Sequence, residues 1–148
     1  MLSRNARQPF EILLVEDNPG DVRLLRELLK EGACGPQVAV VNESRTALLY
    51  LRRQPPFQEA RRPDLILLDW NLPKMHGGEL LAEIKRDNTL KRIPVVVLTS
   101  SDAEQDVSTA YDLHANCYVT KPLDLAQFTH VIQTILEFWL TIVKLAPG

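Results

Sequence analysis

The chain lacks the marks of several large protein classes. Its 148 residues hold two cysteines, Cys34 and Cys117. They are far apart and match no metal-ligand spacing, so the sequence predicts reduced thiols rather than a disulfide framework or a zinc site. No apolar run approaches the roughly 20 residues that cross a bilayer. The opening MLSRNARQPF has no apolar stretch of signal-peptide type. A basic excess is missing too. The net charge is -2 with both signs interspersed, which argues against nucleic acid, whose phosphates require a basic footprint. No GxxxxGK(S/T) loop is present to cradle a nucleotide. No linker, repeat or low-complexity segment divides the chain. The expectation is one soluble cytoplasmic domain over residues 1–148, with neither membrane nor nucleic acid as partner. A hydrophobic share of 45% suffices for its core.

What is present alternates. Apolar runs at Ile12–Val15, Gln37–Val41, Leu65–Leu68, Val95–Leu98 and Cys117–Val119 read as strands. Helical spacing lies between them. Asp21 to Glu31 carries Val22, Leu25, Leu28 and Leu29 on one side, with Gly32 as the stop. Ser44 caps a helix to about Arg53, and a polar loop with Pro55-Pro56 runs from Gln54 to Pro63. Gly77-Gly78 opens a helix to about Asn88, Asp102 caps one to about Leu113, and Asp124 starts the last, which runs to about Lys144. The order βαβαβαβαβα implies a parallel sheet with helices on both faces.

Chemistry gathers at the ends of the strands. Ile12–Val15 runs into Glu16-Asp17, LILL into Asp69, Val95–Leu98 into Thr99, and Cys117–Val119 into Thr120-Lys121-Pro122. Ligands of open α/β sheets bind outside the carboxyl ends of the strands. If the first and third strands are neighbours, Asp17 and Asp69 can share a hard cation such as Mg²⁺, with Glu16 nearby. Three acids in one pocket would tend to take up protons unless a cation and Lys121 relieve them. Lys121 lies two strands from Asp69, roughly 10 Å by strand spacing, within reach of its long stem. A carboxylate nucleophile, a cation, an ammonium and a hydroxyl are the parts phosphoryl transfer needs.

These motifs, in this order, resemble the receiver domain of two-component response regulators (the CheY-like family) over about residues 10–136. The resemblance implies a flavodoxin-like (βα)5 doubly wound fold with strand order 2-1-3-4-5. It implies that Asp69 accepts a phosphoryl group from a sensor histidine kinase. It further implies that Glu16, Asp17, Asp69 and the Asn71 carbonyl hold Mg²⁺, and that Thr99 and Tyr118 are switch residues. Lys121 would pair with the phosphoryl group, and its bond to Pro122 would be cis. The face built from the fourth helix, fifth strand and last helix would then shift its population between two arrangements. His76 stands where the family commonly has Asp or Asn, and is read as a loop residue. Ser100 leaves the pocket open, and Asn71 and Ser101 stand where the family tunes the acyl-phosphate lifetime. His114 and His130 are read as surface or packing residues, and Lys74 and Lys85 as solvated charges.

The last helix is unusually apolar. Leu125, Phe128, Ile132, Ile135, Leu136 and Trp139 form one stripe, and Val131, Phe138, Ile142 and Leu145 a second. Either the two form one wide stripe under a larger core, or the second buries against another chain; on the second reading Phe138, Trp139, Ile142 and Leu145 are expected at a two-fold dimer interface, on an extension over about residues 137–148. This ending, the Pro55-Pro56 loop and the DWNLPK run resemble the small regulators paired with cyanobacterial phytochromes. That resemblance implies a light-sensing kinase upstream. With no output domain following, output would pass through protein contact or phosphotransfer. Two other readings are weaker. A phosphohydrolase of the haloacid dehalogenase type wants a second acid where Asn71 stands. An adaptor indifferent to phosphorylation would not need the acids, Thr99 and Lys121.

Overall fold

The computed structural model describes residues 9–29 and 36–147. Gly32, Cys34 and the first eight residues lie outside the described set. The elements are β1 (Glu11–Val15), α1 (Pro19–Leu29), β2 (Gln37–Val41), α2 (Ser44–Leu51), β3 (Leu65–Leu68), α3 (Gly77–Arg86), β4 (Val95–Thr99), α4 (Glu104–Asp112), β5 (Cys117–Thr120) and α5 (Leu125–Glu137). A π-helical turn, Phe138–Ile142, extends α5. All four strand pairings are parallel and the order is β2-β1-β3-β4-β5. The expected doubly wound fold is present.

Alternation along the strands divides the core. Leu13, Val15, Ile66, Leu68, Val95 and Val97 face α2, α3 and α4. Ile12, Leu14, Leu65, Leu67, Val96 and Leu98 face α1 and α5, where they meet Leu25, Phe128 and Ile132. A strand covered on both faces needs apolar residues at every position, which is why β3 reads LILL without a polar alternate.

Several helix starts differ from the sequence reading. α1 begins at Pro19, two residues before Asp21. The Oδ1 of Asn18 accepts from the amides of Gly20 at 2.9 Å and Asp21 at 3.1 Å, and proline is favoured at the first helical position because its missing N–H is not needed there. Ser44 is the first residue of α2 rather than its cap; its hydroxyl donates to the Met75 carbonyl at 2.9 Å. α4 is preceded by Ala103 in the cap position, not Asp102. No side chain caps that end; Ser101 Oγ donates to Asp106 in the first turn at 2.5 Å. Asp124 does cap α5, accepting from the Ala126 amide at 2.8 Å.

His76 is more than a loop residue. Its Nδ1 accepts from the Gly78 amide at 2.9 Å, so it caps α3. Lys85 is not a solvated charge. Its half-buried ammonium donates to the carbonyls of Lys91 and Ile93 at 3.1 Å each and to Asn116 Oδ1 at 3.2 Å. Burial pulls it below the ordinary lysine range. His114 follows α4 with φ of 72°. Among the described residues the cis peptide is Pro55–Pro56, not the Lys121–Pro122 bond that the family resemblance implies.

Leu125 does not join the core stripe of α5. It is 64% exposed, because the first turn of the helix overhangs the cleft beside Pro122 and Leu123. Phe128, Ile132 and Ile135 are buried as expected. In the extension, Phe138 and Ile142 are 47% and 68% exposed. Trp139 packs partly against the chain's own core on the α1–α5 side, and Leu145 is half-buried.

Candidate phosphoacceptor site

The ladder hydrogen bonds run one residue past the strands and set the heights of the site residues. The Asp69 amide bonds the Val15 carbonyl at 3.0 Å, the Glu16 amide bonds the Val41 carbonyl at 3.0 Å, and the Lys121 amide bonds the Thr99 carbonyl at 2.7 Å. Val15 pairs with Leu68 and Thr99 with Thr120. Glu16, Asp69, Thr99 and Lys121 therefore emerge together at the carboxyl edge of β1, β3, β4 and β5.

The side chains converge. Glu16, Asp17 and Asp69 each offer an oxygen, and the three lie within 4.8 Å of one another. Glu16 is 1% exposed and Asp69 8%, while Asp17 faces solvent. Lys121 Nζ donates to Glu16 Oε1 at 2.6 Å and Asp21 Oδ2 at 2.8 Å, and lies 3.9 Å from Asp69 Oδ2. The other Glu16 oxygen accepts from the Asn18 amide at 3.2 Å. Burial pushes the Glu16 carboxyl up to about 7; the Lys121 bond opposes that rise and the Asp69 charge adds to it. Burial alone would lower the Lys121 ammonium, but its bonds to Asp21 and Glu16 outweigh that and hold it above the ordinary range.

Thr99 is fully buried. Its Oγ1 accepts from Asn71 Nδ2 at 3.4 Å. The Asn71 amide in turn approaches Asp69 Oδ1 at 3.4 Å, so Asn71 spans the acid and the hydroxyl. Tyr118 donates through its hydroxyl to the Ser101 carbonyl at 2.7 Å. Its ring stands 6.4 Å from that of Trp70 and edge-on to it, and Trp70 meets His76 in the same way at 5.0 Å. An open cleft of about 720 Å³ runs over Asp17, Asp69, Asn71, Ser100 and Lys121 toward Leu125 and Phe128.

The sequence-predicted residues Glu16, Asp17, Asp69, Asn71, Thr99, Tyr118 and Lys121 gather around this edge. The π-turn with Phe138 and Ile142 follows the far end of α5. Three site residues escaped the sequence reading. Asp21 is the second carboxylate on Lys121, a partner 100 residues away that no local spacing signals. Trp70 is buried beneath α3. Gly77 meets the site backbone, its amide donating to the Trp70 carbonyl at 3.0 Å.

Oxygen ligands in this number fit a hard divalent cation better than a thiophilic one. With an adjacent ammonium and hydroxyl, the arrangement can neutralise and hold a transferring phosphoryl group.

Comparison with known proteins agrees with this chemistry. The family model for the response regulator receiver domain matches residues 12–133. The response regulator Rcp1 of Synechocystis is 45% identical over 144 residues, 97% of this chain and 98% of that protein. The crystal structure of the phosphorylated cyanobacterial phytochrome response regulator RcpA matches with a TM-score of 0.91 at 49% identity, covering 93% of this chain and 99% of that one. The Mn²⁺-bound form of Rcp1 matches with a TM-score of 0.89 at 46% identity and the same coverage. The chain belongs to the response regulator receiver family.

Proposed function

Because the chain belongs to that family, we propose that Asp69 is its phosphoacceptor and that the donor is a phosphohistidine on a sensor kinase of phytochrome type. An Asp69 carboxylate oxygen attacks phosphorus, the P–N bond breaks, and the imidazole leaves with the electron pair. The aspartyl-phosphate remains. The carrying observation is the convergence of Glu16, Asp17 and Asp69 within 4.8 Å, with the Lys121 ammonium beside them. The relatives named for phytochrome pathways support the choice of donor.

Glu16, Asp17, Asp69 and the Asn71 carbonyl would hold Mg²⁺, which supplies charge neutralisation for the phosphoryl oxygens. Glu16 already uses both oxygens, on Lys121 and the Asn18 amide, which favours a water-mediated role for it. Thr99 and Tyr118 are the switch pair. Thr99 Oγ1 accepts from Asn71, so its O–H is left to donate to a phosphoryl oxygen, and Tyr118 would give up its bond to the Ser101 carbonyl if it swung inward with Thr99. The protein catalyses its own phosphorylation by orienting these groups rather than by turning over a free substrate. The alternative of a phosphohydrolase is disfavoured because position 71 carries an amide that already bonds Thr99.

The exposed Phe138 and Ile142, with Trp139 and Leu145 at their margins, would pair two copies about a two-fold axis. The domain would span residues 1–148 with the extension from about 137, and would act in the cytoplasm through protein contact or phosphotransfer. No helix among the described residues is long and apolar enough to cross a membrane.

Labelling from acetyl phosphate or a phosphohistidine kinase tests the assignment. Incorporation should require Mg²⁺ and vanish in Asp69→Asn. Undiminished labelling of that variant at another residue would refute it. Sedimentation with and without Mg²⁺ and beryllofluoride tests the dimer, which Ile142→Glu should dissociate.

A further inference from the structure

Lys121 is shared unequally among three carboxylates. It bonds Glu16 at 2.6 Å and Asp21 at 2.8 Å, but stands 3.9 Å from Asp69. Glu16 and Asp21 engage two of the three N–H donors of the ammonium and draw Nζ toward themselves, which leaves a group on Asp69 only the third. Glu16 belongs to the acidic cluster, and a cation there draws its charge away from Lys121. Asp21 lies outside that cluster. Its hold on Lys121 is the one a bound cation does not relieve.

Local structure aims Asp21 at the lysine. It is the third residue of α1, and the Asn18 side chain fixes its amide. An acid at that position ordinarily folds back onto the cap residue's own amide. Here the Asn18 amide is taken by Glu16 Oε2 at 3.2 Å. Asp21 Oδ2 goes to Lys121 instead. The side chain is 26% exposed and lines the same cleft as Asp69.

We propose that Asp21 is a positioning residue that holds Lys121 back from Asp69 and thereby sets the affinity of the site for a phosphoryl group. The inference rests on Asp69 being the phosphoacceptor. The charge-assisted bond to Asp21 opposes any movement of Nζ toward Asp69. The Asp21 charge also repels any anion entering the cleft. Both effects have the same sign, so neutralising Asp21 strengthens anion binding. Loss of a merely structural contact would weaken it.

Beryllofluoride with Mg²⁺ serves as the probe, titrated calorimetrically into the full chain. Asp21→Asn should bind it roughly three- to tenfold more tightly than the parent. Asp21→Glu, which keeps the charge, should stay within about twofold of the parent. In a Lys121→Gln background only the direct repulsion by Asp21 remains, so the gain from Asp21→Asn should shrink. Equal or weaker binding by a folded Asp21→Asn protein overturns the inference, as does an undiminished gain without Lys121. Either result leaves Asp69 in its role if the parent binds. A folded parent chain that binds no beryllofluoride removes both readings together.

Discussion

Gly77 lies so close to Asp69 that a Cβ built on it would stand 2.6 Å from the Asp69 carbonyl oxygen and 2.9 Å from that of Trp70. The first turn of α3 is packed onto the backbone that carries Asp69. Only a residue without a side chain permits that approach. Gly77→Ala should force the two segments apart and cost about 1–3 kcal/mol of stability. Asp69 labelling should slow with it. Urea unfolding and acetyl phosphate labelling on one preparation check both effects.

His76 should behave as a replaceable cap. Its ring nitrogen accepts the Gly78 amide, a task asparagine performs well. His76→Ala should lose about 1 kcal/mol, while His76→Asn stays near the parent. Thermal melts of the two variants decide this. Equal losses in both would mean that the ring's contact with Trp70, rather than the cap, matters.

Binding of Mg²⁺ should depend on pH with a definite sign. Burial holds the Glu16 carboxyl at about 7 against an ordinary 4.5. In metal-free protein the folded state keeps a proton there that the unfolded chain has released. This group's contribution to stability therefore falls as pH rises from 4.5 to about 7. A cation competes with that proton, so the stabilisation by Mg²⁺ should grow across neutral pH and level off above it. Melting curves with Mg²⁺ and with EDTA, across that range, measure the difference directly.

Lys85→Met should destabilise the domain by about 1–3 kcal/mol, because three oxygen acceptors lose their donor together. Chemical denaturation provides the number. A loss within the noise of a surface substitution would contradict the bonding described for Lys85.

The strands, their order and the convergent acids were legible because each rests on a local or topological rule. An apolar run ending in an acid needs no knowledge of its neighbours, and the receiver resemblance supplied the order. The errors share a cause, namely partners distant in sequence. Lys85 looked solvated because its acceptors are backbone carbonyls at 91 and 93 and a side chain 31 residues away. Asp21 looked like a helix start because Lys121 lies 100 residues on. Leu125 fits a helical stripe, but helical spacing does not tell where a first turn stands relative to the sheet. The start of α1 is a different case. Asn18-Pro19 is a local signal for a cap and a first helical residue, and it was overlooked.

The bonds of Lys85 also give the sheet two unlike ends. The Asn116 side chain that Lys85 holds also accepts from the Val95 amide at 2.8 Å, and the Asn116 amide returns a bond to the Val95 carbonyl at 2.9 Å. The beginnings of β4 and β5 are riveted to α3. Their opposite tips bear Thr99 and Lys121. Strands pinned at this heel, and laddered to the tip by the Lys121 amide on the Thr99 carbonyl, keep their register along the whole length, so a change at the site has to be carried by side chains and by the helices that leave the tips.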